Sequence, residues 1–261
     1  MKLFVFEGEK REPDIFRALQ TLFFAEEKEM FACSYGNNIY QLYRELREYD
    51  HFGDVVALLK AKVAGRAGND LKEINNVSDV SEVYLFFDYD PQNKNLTIAE
   101  MNSQLADMLA MFNNETEEGK LYINYPMAEA IRYTKQLPDS SFWEYTVGIE
   151  DCGKFKEKAN MFSAYGNLDF IMPRKRNDSA QMSPKHKENW NHLIEQNVAK
   201  ACYICRGKVE VPASKDDILQ SAIFEGQCNK YIANNLVAIL SAFPLFLFDY
   251  FPQNAAAVGG D

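Results

Sequence analysis

Apolar positions keep two different rhythms along this chain, and the change between them comes near Pro138. Residues 2–6 form a short run of apolar and aromatic side chains, which predicts a buried first strand. Behind Pro13, a residue well tolerated in a first helical turn, Ile15, Phe16, Leu19, Leu22 and Phe23 recur on one helical face. A second strand is expected at 29–34 and a second helix at 39–49, with Leu42, Tyr43 and Leu46 inward. Residues 60–79 are rich in Lys, Gly, Asn and Asp and read as a polar excursion. The plainest strand is 82–88, a run of Val, Tyr, Leu and two Phe. Helical spacing returns at 97–112 through Ile98, Met101, Leu105, Met108 and Leu109. A short strand at 121–124 and a helix from Pro126 to about Lys135 follow.

Strands alternating with helices over 1–136 predict an α/β fold with a largely parallel sheet flanked by helices. Residues 150–250 read mostly as helices, the plainest being 185–206 and 216–251. The expected organisation is an α/β domain at 1–138, a mainly helical domain at 139–253, and a tail at 254–261 without anchoring residues.

Hydrophobic residues make up 47% of the 261 and aromatic residues 13%, enough for a filled core rather than a disordered chain. The balance of charge narrows the partners. With 28 Lys+Arg against 38 Asp+Glu, the net charge is -10, so nucleic acid would have to be met by a local basic patch, a metal ion or a partner subunit. The same acidity opposes an anionic membrane. The first apolar run ends at once in Glu7-Gly8-Glu9-Lys10-Arg11-Glu12, which is not the pattern of a signal peptide. The longest apolar stretch, 236–248, is interrupted by Ser241 and Pro244 and falls short of the ~20 residues that span a bilayer; a buried C-terminal helix is the expectation. Five cysteines, an odd number, fit reduced thiols and a cytoplasmic location.

Candidate chemistry lies where α/β sheets place it, at the carboxyl ends of strands. Glu7 closes the first strand and precedes Gly8, which would let the chain turn. Asp88 and Asp90 close the plainest strand in Phe87-Asp88-Tyr89-Asp90-Pro91, and period-two alternation would point both acids the same way. If the two strands are neighbours, three carboxylates converge, and their repulsion is relieved by a divalent cation. Mg²⁺, with Mn²⁺ as an equivalent, prefers such hard oxygens and keeps waters for a phosphate. Asp-x-Asp alone is a weak signal in so acidic a chain, and by itself it reads as a solvated turn. The stronger signal is Glu-Gly closing an N-terminal strand, followed about eighty residues later by Asp-x-Asp closing another.

In these residues the chain resembles the Toprim fold, shared by topoisomerases, primases, OLD-family nucleases and RloB-like proteins. The opening Phe4-Val5-Phe6-Glu7-Gly8-Glu9-Lys10-Arg11-Glu12-Pro13 is most similar to the RloB-like version, an apolar strand followed by E-G-E-K-T-E-P, with Arg11 standing where that pattern has threonine. The resemblance covers about residues 1–136. It implies Glu7, Asp88 and Asp90 as catalytic, metal-binding acids, with Glu7 a ligand or general base. Glu12 would be a further ligand, as would Glu129 in the block Ile123-Asn124-Tyr125-Pro126-Met127-Ala128-Glu129. Glu129 is also readable as an exposed acid in the first turn of a helix. The implied activity is metal-dependent cleavage of phosphodiester bonds in DNA or RNA. The layout is similar to Toprim effectors of anti-phage systems, which implies an ABC- or AAA-type ATPase as partner and leaves a homodimer open. The alternatives are a non-catalytic regulatory subunit on the same scaffold, or a primase-like enzyme.

Lys10 and Arg11, with Arg174, Lys175 and Arg176 in the densest basic stretch, are the candidate contacts to nucleic acid; a solvated loop is the other reading of 174–176. Cys202 and Cys205 have zinc-ligand spacing but fall in a predicted helix with no second tight pair, so core packing is expected. No Walker A motif is present, which argues against ATP hydrolysis through a P-loop.

Overall fold

Leu3, Phe4, Val5 and Phe6 of β1 (Lys2–Phe6) are all 0% exposed. A strand apolar on both faces needs neighbours on both sides and helices above and below, the setting of a parallel sheet. In the computed structural model, which describes residues 1–48, 54–66, 69–93, 95–173 and 182–251, β1 takes that central position. It runs parallel to β2 (Met30–Ser34) on one side and to β3 (Glu82–Asp88) on the other. The sheet has the order β2-β1-β3-β5-β4, with the short β4 (Asn113–Asn114) antiparallel to β5 (Gly119–Asn124). The expected α/β fold with a mostly parallel sheet is the fold observed.

Packing around β1 follows the register. Phe4 lies opposite Tyr84 and Phe6 opposite Phe86, and the ring centroids stand 5.0 and 5.5 Å apart. Phe86 continues the row to Tyr122 of β5 at 5.4 Å. Phe16 of α1 (Arg11–Phe23) caps the row, 4.3 Å from Phe4. Each such pair adds about 0.5–1.5 kcal/mol beyond the area it buries. Gly119 enters β5 at φ +127, and a Cβ there would come within 2.9 Å of Leu85, so the β3–β5 approach admits only glycine.

Between β2 and β3 lie α2 (Ile39–Glu48) and α3 (Val55–Val63). The second of these corrects the polar excursion expected nearby. Val55, Val56, Leu58, Leu59 and Val63 are buried on one side, but the other side carries Ala57 and the exposed Ala61 beside its two lysines, so α3 lacks the polar stripe that marks a surface helix in sequence. Asp54 starts it by accepting the Ala57 N–H at 2.8 Å. After β3, Thr97 and Glu100 form a capping box that starts α4 (Ile98–Met111).

Contacts group the chain into two units, Met1–Asp88 with Lys94–Tyr122, and Tyr89–Asn93 with Ile123–Asp261. The division comes earlier than the change of pattern near Pro138. Residues 123–125 bond within the second unit: the Ile123 N–H donates to Gln220 Oε1, Asn124 Oδ1 accepts the Ala242 N–H, and Tyr125 pairs with Leu240 in both directions.

The second unit is mainly helical: α5 (Phe155–Phe162), α6 (Pro184–Arg206), α7 (Gln220–Gly226) and α8 (Ala242–Tyr250). Ser183 and His186 box the start of α6, Pro184 occupies its first turn, and Gly207 at φ 75 ends it. The single helix expected at 216–251 is instead broken. Gln227–Tyr231 is a π-turn, Asn235 takes φ 58, and β7 (Leu236–Ala238) pairs antiparallel with β6 (Thr146–Gly148). The Gln227 amide fixes that break by bonding both the N–H and the C=O of Ala238. The apolar stretch 236–248 is therefore part strand and part buried helix. The helix expected after Pro126 is only a 3-10 turn, Ala128–Arg132. Buried Arg132 draws the chain aside, donating to the carbonyls of Tyr165 and Lys156 and to Asn160 Oδ1. Among the described residues, no helix is long and apolar enough to cross a membrane. The tail 254–261 and the basic residues Arg174, Lys175 and Arg176 lie outside the described residues.

Candidate functional site

The chain leaves β1 toward β2 on one side and returns through β3 on the other. The carboxyl ends of β1 and β3 therefore flank a topological switch point, where open α/β sheets bind ligands. Glu7 is the first residue past β1. Its N–H donates to Phe86 O (3.0 Å) and its C=O accepts the Gly36 N–H (2.9 Å), so its backbone is clamped between the ends of β3 and β2. Its carboxylate turns toward β3, with Oε2 accepting the Asp88 N–H at 3.1 Å. Glu7 and Asp88 are both half-buried.

Glu12, in the first turn of α1, bonds the residue that follows Glu7. It is buried, and Oε1 accepts the Gly8 N–H at 3.0 Å. This contact explains the glycine after Glu7 differently from a sharp turn. Gly8 has no left-handed φ; a Cβ there would lie 2.6 Å from Glu12 Oε2, so a side chain would displace the carboxylate. Lys10 is exposed just ahead of α1, and Arg11 opens the helix half-buried.

Asp90 departs from the geometry expected of it. The extended strand ends at Asp88, and Asp90 takes φ 32, so strand alternation does not carry through the Asp-x-Asp motif. Asp90 belongs to the second unit, where its N–H donates to Pro126 O at 3.0 Å. Burial raises its carboxyl pKa, partly offset by a hydrogen bond from the Gln92 backbone. Glu129, also in the second unit, is 8% exposed in its 3-10 turn, which corrects the exposed helix-start alternative. Among the described residues, no group of three or more His, Cys, Asp or Glu is arranged to hold a metal ion. What the first unit brings together is Glu7 and Asp88, while Glu12 bonds the backbone of the next residue, Gly8. A pair of carboxylates is within what Mg²⁺ uses, since it is commonly held by one or two carboxylates and waters.

Arg66 was hidden in the segment read as polar excursion. Its Nη1 donates to Tyr35 O at 2.6 Å, beside Gly36 at φ 76 and near Glu9, which sets a cation at the end of β2. Only the fold could reveal it, because an exposed arginine in a polar stretch carries no signal of its own. Lys185 pairs with Glu188 and His186 caps α6, so this part of the basic stretch is helix surface.

Cys202 and Cys205 lie one turn apart in α6, as expected. Burial pushes the thiols of Cys33 and Cys152 up to about 12 and those of Cys205 and Cys228 up to about 11, and raises that of Cys202. Thiolate is the reactive form, so iodoacetamide at about pH 8 should label the native chain on the order of 10²-fold more slowly than the urea-unfolded chain. A native cysteine labelled as fast as the unfolded ones would contradict these environments.

The fold and the acids define the class of this molecule: an α/β sheet with a carboxylate pair at its switch point, followed by a helical C-terminal region. Comparison of the chain with protein-family models, curated proteins and solved structures returns no match.

Proposed function

We propose that this chain is a Toprim-type, metal-dependent nuclease acting on phosphodiester bonds, with Glu7 and Asp88 as its central acids. The observation that carries the reading is the pair itself. Two carboxylate residues end adjacent parallel strands at the switch point, linked by the 3.1 Å bond from the Asp88 N–H to Glu7 Oε2. Mg²⁺ or Mn²⁺ bound there would neutralise phosphate charge and activate water. Glu12 orders the turn after Glu7, and Arg66 and Lys10 offer positive charge to a phosphate backbone in an otherwise acidic chain. A separate ABC- or AAA-type ATPase would control the activity, as in the anti-phage effectors the sequence resembles, with the helical unit as docking surface.

The second reading is a non-catalytic interaction subunit on the same scaffold. It is favoured by the structural bonds that Glu7 and Glu12 make to backbone N–H groups. The deciding experiment incubates labelled DNA and RNA with the purified chain, alone and with any ATPase encoded beside it, in MgCl₂, MnCl₂ or EDTA. Divalent-dependent cleavage that rises with the ATPase is expected. No cleavage under any of these conditions would favour the interaction subunit.

A further inference from the structure

The second unit holds a cavity of about 580 Å³, a volume in the range of binding sites. Three pieces of chain line it. His192, Glu195 and Ala199 come from α6 at helical spacing, Trp143 from the 3-10 turn Phe142–Glu144, and Val209, Glu210 and Val211 from the loop beyond Gly207.

Two features of this lining point to an occupant. Val209 and Val211 are 50% and 39% exposed, among the few large apolar side chains that the described residues leave in solvent, and Trp143 on the same cavity is only half-buried. Apolar side chains gathered in this way and rimmed by polar residues mark an interaction surface. The second feature is the backbone. The stretch 209–211 is neither helix nor strand, and among the described residues its N–H and C=O groups make no hydrogen bond. They are open to an incoming extended chain, which pairs through its own backbone and seats alternate side chains.

Charge selects that chain. The described lining residues include Asp139, Glu195 and Glu210 and neither Lys nor Arg. Asp139 is held as an anion. Burial works against its charge, but the Lys135 and Ser141 N–H groups and the Tyr145 hydroxyl donate to it, and the balance lowers its pKa. Glu210 meets Lys208 at 3.8 Å, an exposed pair that water screens and a better-placed cation can replace. A phosphate backbone would be repelled from such a lining, and so would a second copy of this chain, whose net charge is -10.

We propose that this cavity docks an extended segment of a partner protein in which basic and apolar residues alternate, the apolar side chains lying over Val209, Val211 and Trp143 and the basic ones toward Glu195 and Glu210. The proposal does not depend on the nuclease reading, because the lining lies wholly within the second unit.

The test follows the polarisation of a fluorescein-labelled peptide of alternating lysine and leucine, about eight residues long, as the full chain is added. Saturable binding is expected. The unlabelled peptide should also change tryptophan emission through Trp143, since Trp190 is fully buried with its indole N–H on Ile171 O. Peptides of alternating glutamate and leucine, or of lysine and serine, should bind about ten-fold more weakly, as should the first peptide N-methylated at alternate amides. Val209→Ser with Val211→Ser should weaken the lysine–leucine peptide by about ten-fold. Glu195→Gln with Glu210→Gln should weaken it similarly and flatten its salt dependence. All four side chains are exposed, so the melting temperature should stay that of the parent. The proposal is overturned if the peptide does not saturate the chain, if the glutamate or N-methylated peptide binds as tightly, or if either double variant binds as the parent does. Self-association of the chain that the valine substitutions abolish would place a second copy on this surface and overturn it too.

Discussion

Glu7→Gln and Asp88→Asn should each lower divalent-dependent phosphodiester cleavage by about 10²-fold or more while leaving the circular dichroism spectrum unchanged. Both substitutions keep the side-chain shape and remove the charge, so they separate chemistry from packing. In Glu7→Gln an amide oxygen can still accept the Asp88 N–H, and the backbone clamp between Phe86 O and the Gly36 N–H does not involve the side chain. Each variant halves the negative charge available from this pair to a divalent cation, so the concentration of Mg²⁺ giving half-maximal cleavage should rise together with the loss of rate. Asp90→Asn is the informative companion, because Asp90 belongs to the second unit and lies outside the strand geometry. A loss as large as that of Asp88→Asn would bring Asp90 into the chemistry, as the Asp-x-Asp resemblance implies. Full activity in both Glu7→Gln and Asp88→Asn would end the nuclease reading.

Lys200→Met should stabilise the chain at neutral pH by about 1–4 kcal/mol, the gain typical when a buried charge gives way to an apolar side chain of similar size. Lys200 is 0% exposed, and desolvation lowers its pKa well below the ordinary 10.5. Its ammonium meets two carbonyls and the Phe142 ring, 4.9 Å from the centroid. Neither carbonyl is orphaned by the substitution, since Phe142 O also accepts the Tyr145 N–H and Tyr145 O the Ile239 N–H. The pH dependence has a definite sign. Between the depressed folded-state pKa and 10.5 the unfolded chain binds the proton and the folded chain does not, so stability contributed at this site increases with pH across that window. Below the window both states are protonated and the full desolvation penalty remains. Urea unfolding from about pH 6 to 10 should show a rise in the parent that is absent from Lys200→Met. Destabilisation of that variant by more than about 1 kcal/mol at pH 7 would mean that the carbonyls and the ring outweigh desolvation.

The central strands and their terminal acids were legible in the chain because burial on both faces leaves an uninterrupted apolar run, and such a run must end where the backbone reaches the sheet edge. That reasoning found β1, β3, Glu7 and Asp88. Gly8 was found too, but its reason lies in contact with Glu12 rather than in its own backbone freedom. Asp90 shows where the argument stopped. Alternation holds only while the chain stays extended, and a change of one backbone angle after Asp88 carried the second acid of the motif out of the pattern. Rhythm also failed for α3, whose outer face carries alanines in place of a polar stripe, and for 216–251, where α8 is buried on most sides and a left-handed Asn235 breaks the chain between apolar segments.

By itself the sequence determined the α/β order of elements, the central strands and the acids at their ends, because these follow from local hydrophobic pattern. Only the tertiary structure decided that Gln196 and Lys200, ordinary polar residues at helical spacing, would be buried beside Phe142 and Trp143. Which face of a long amphipathic helix is covered depends on segments far away in the chain, and no local pattern encodes them.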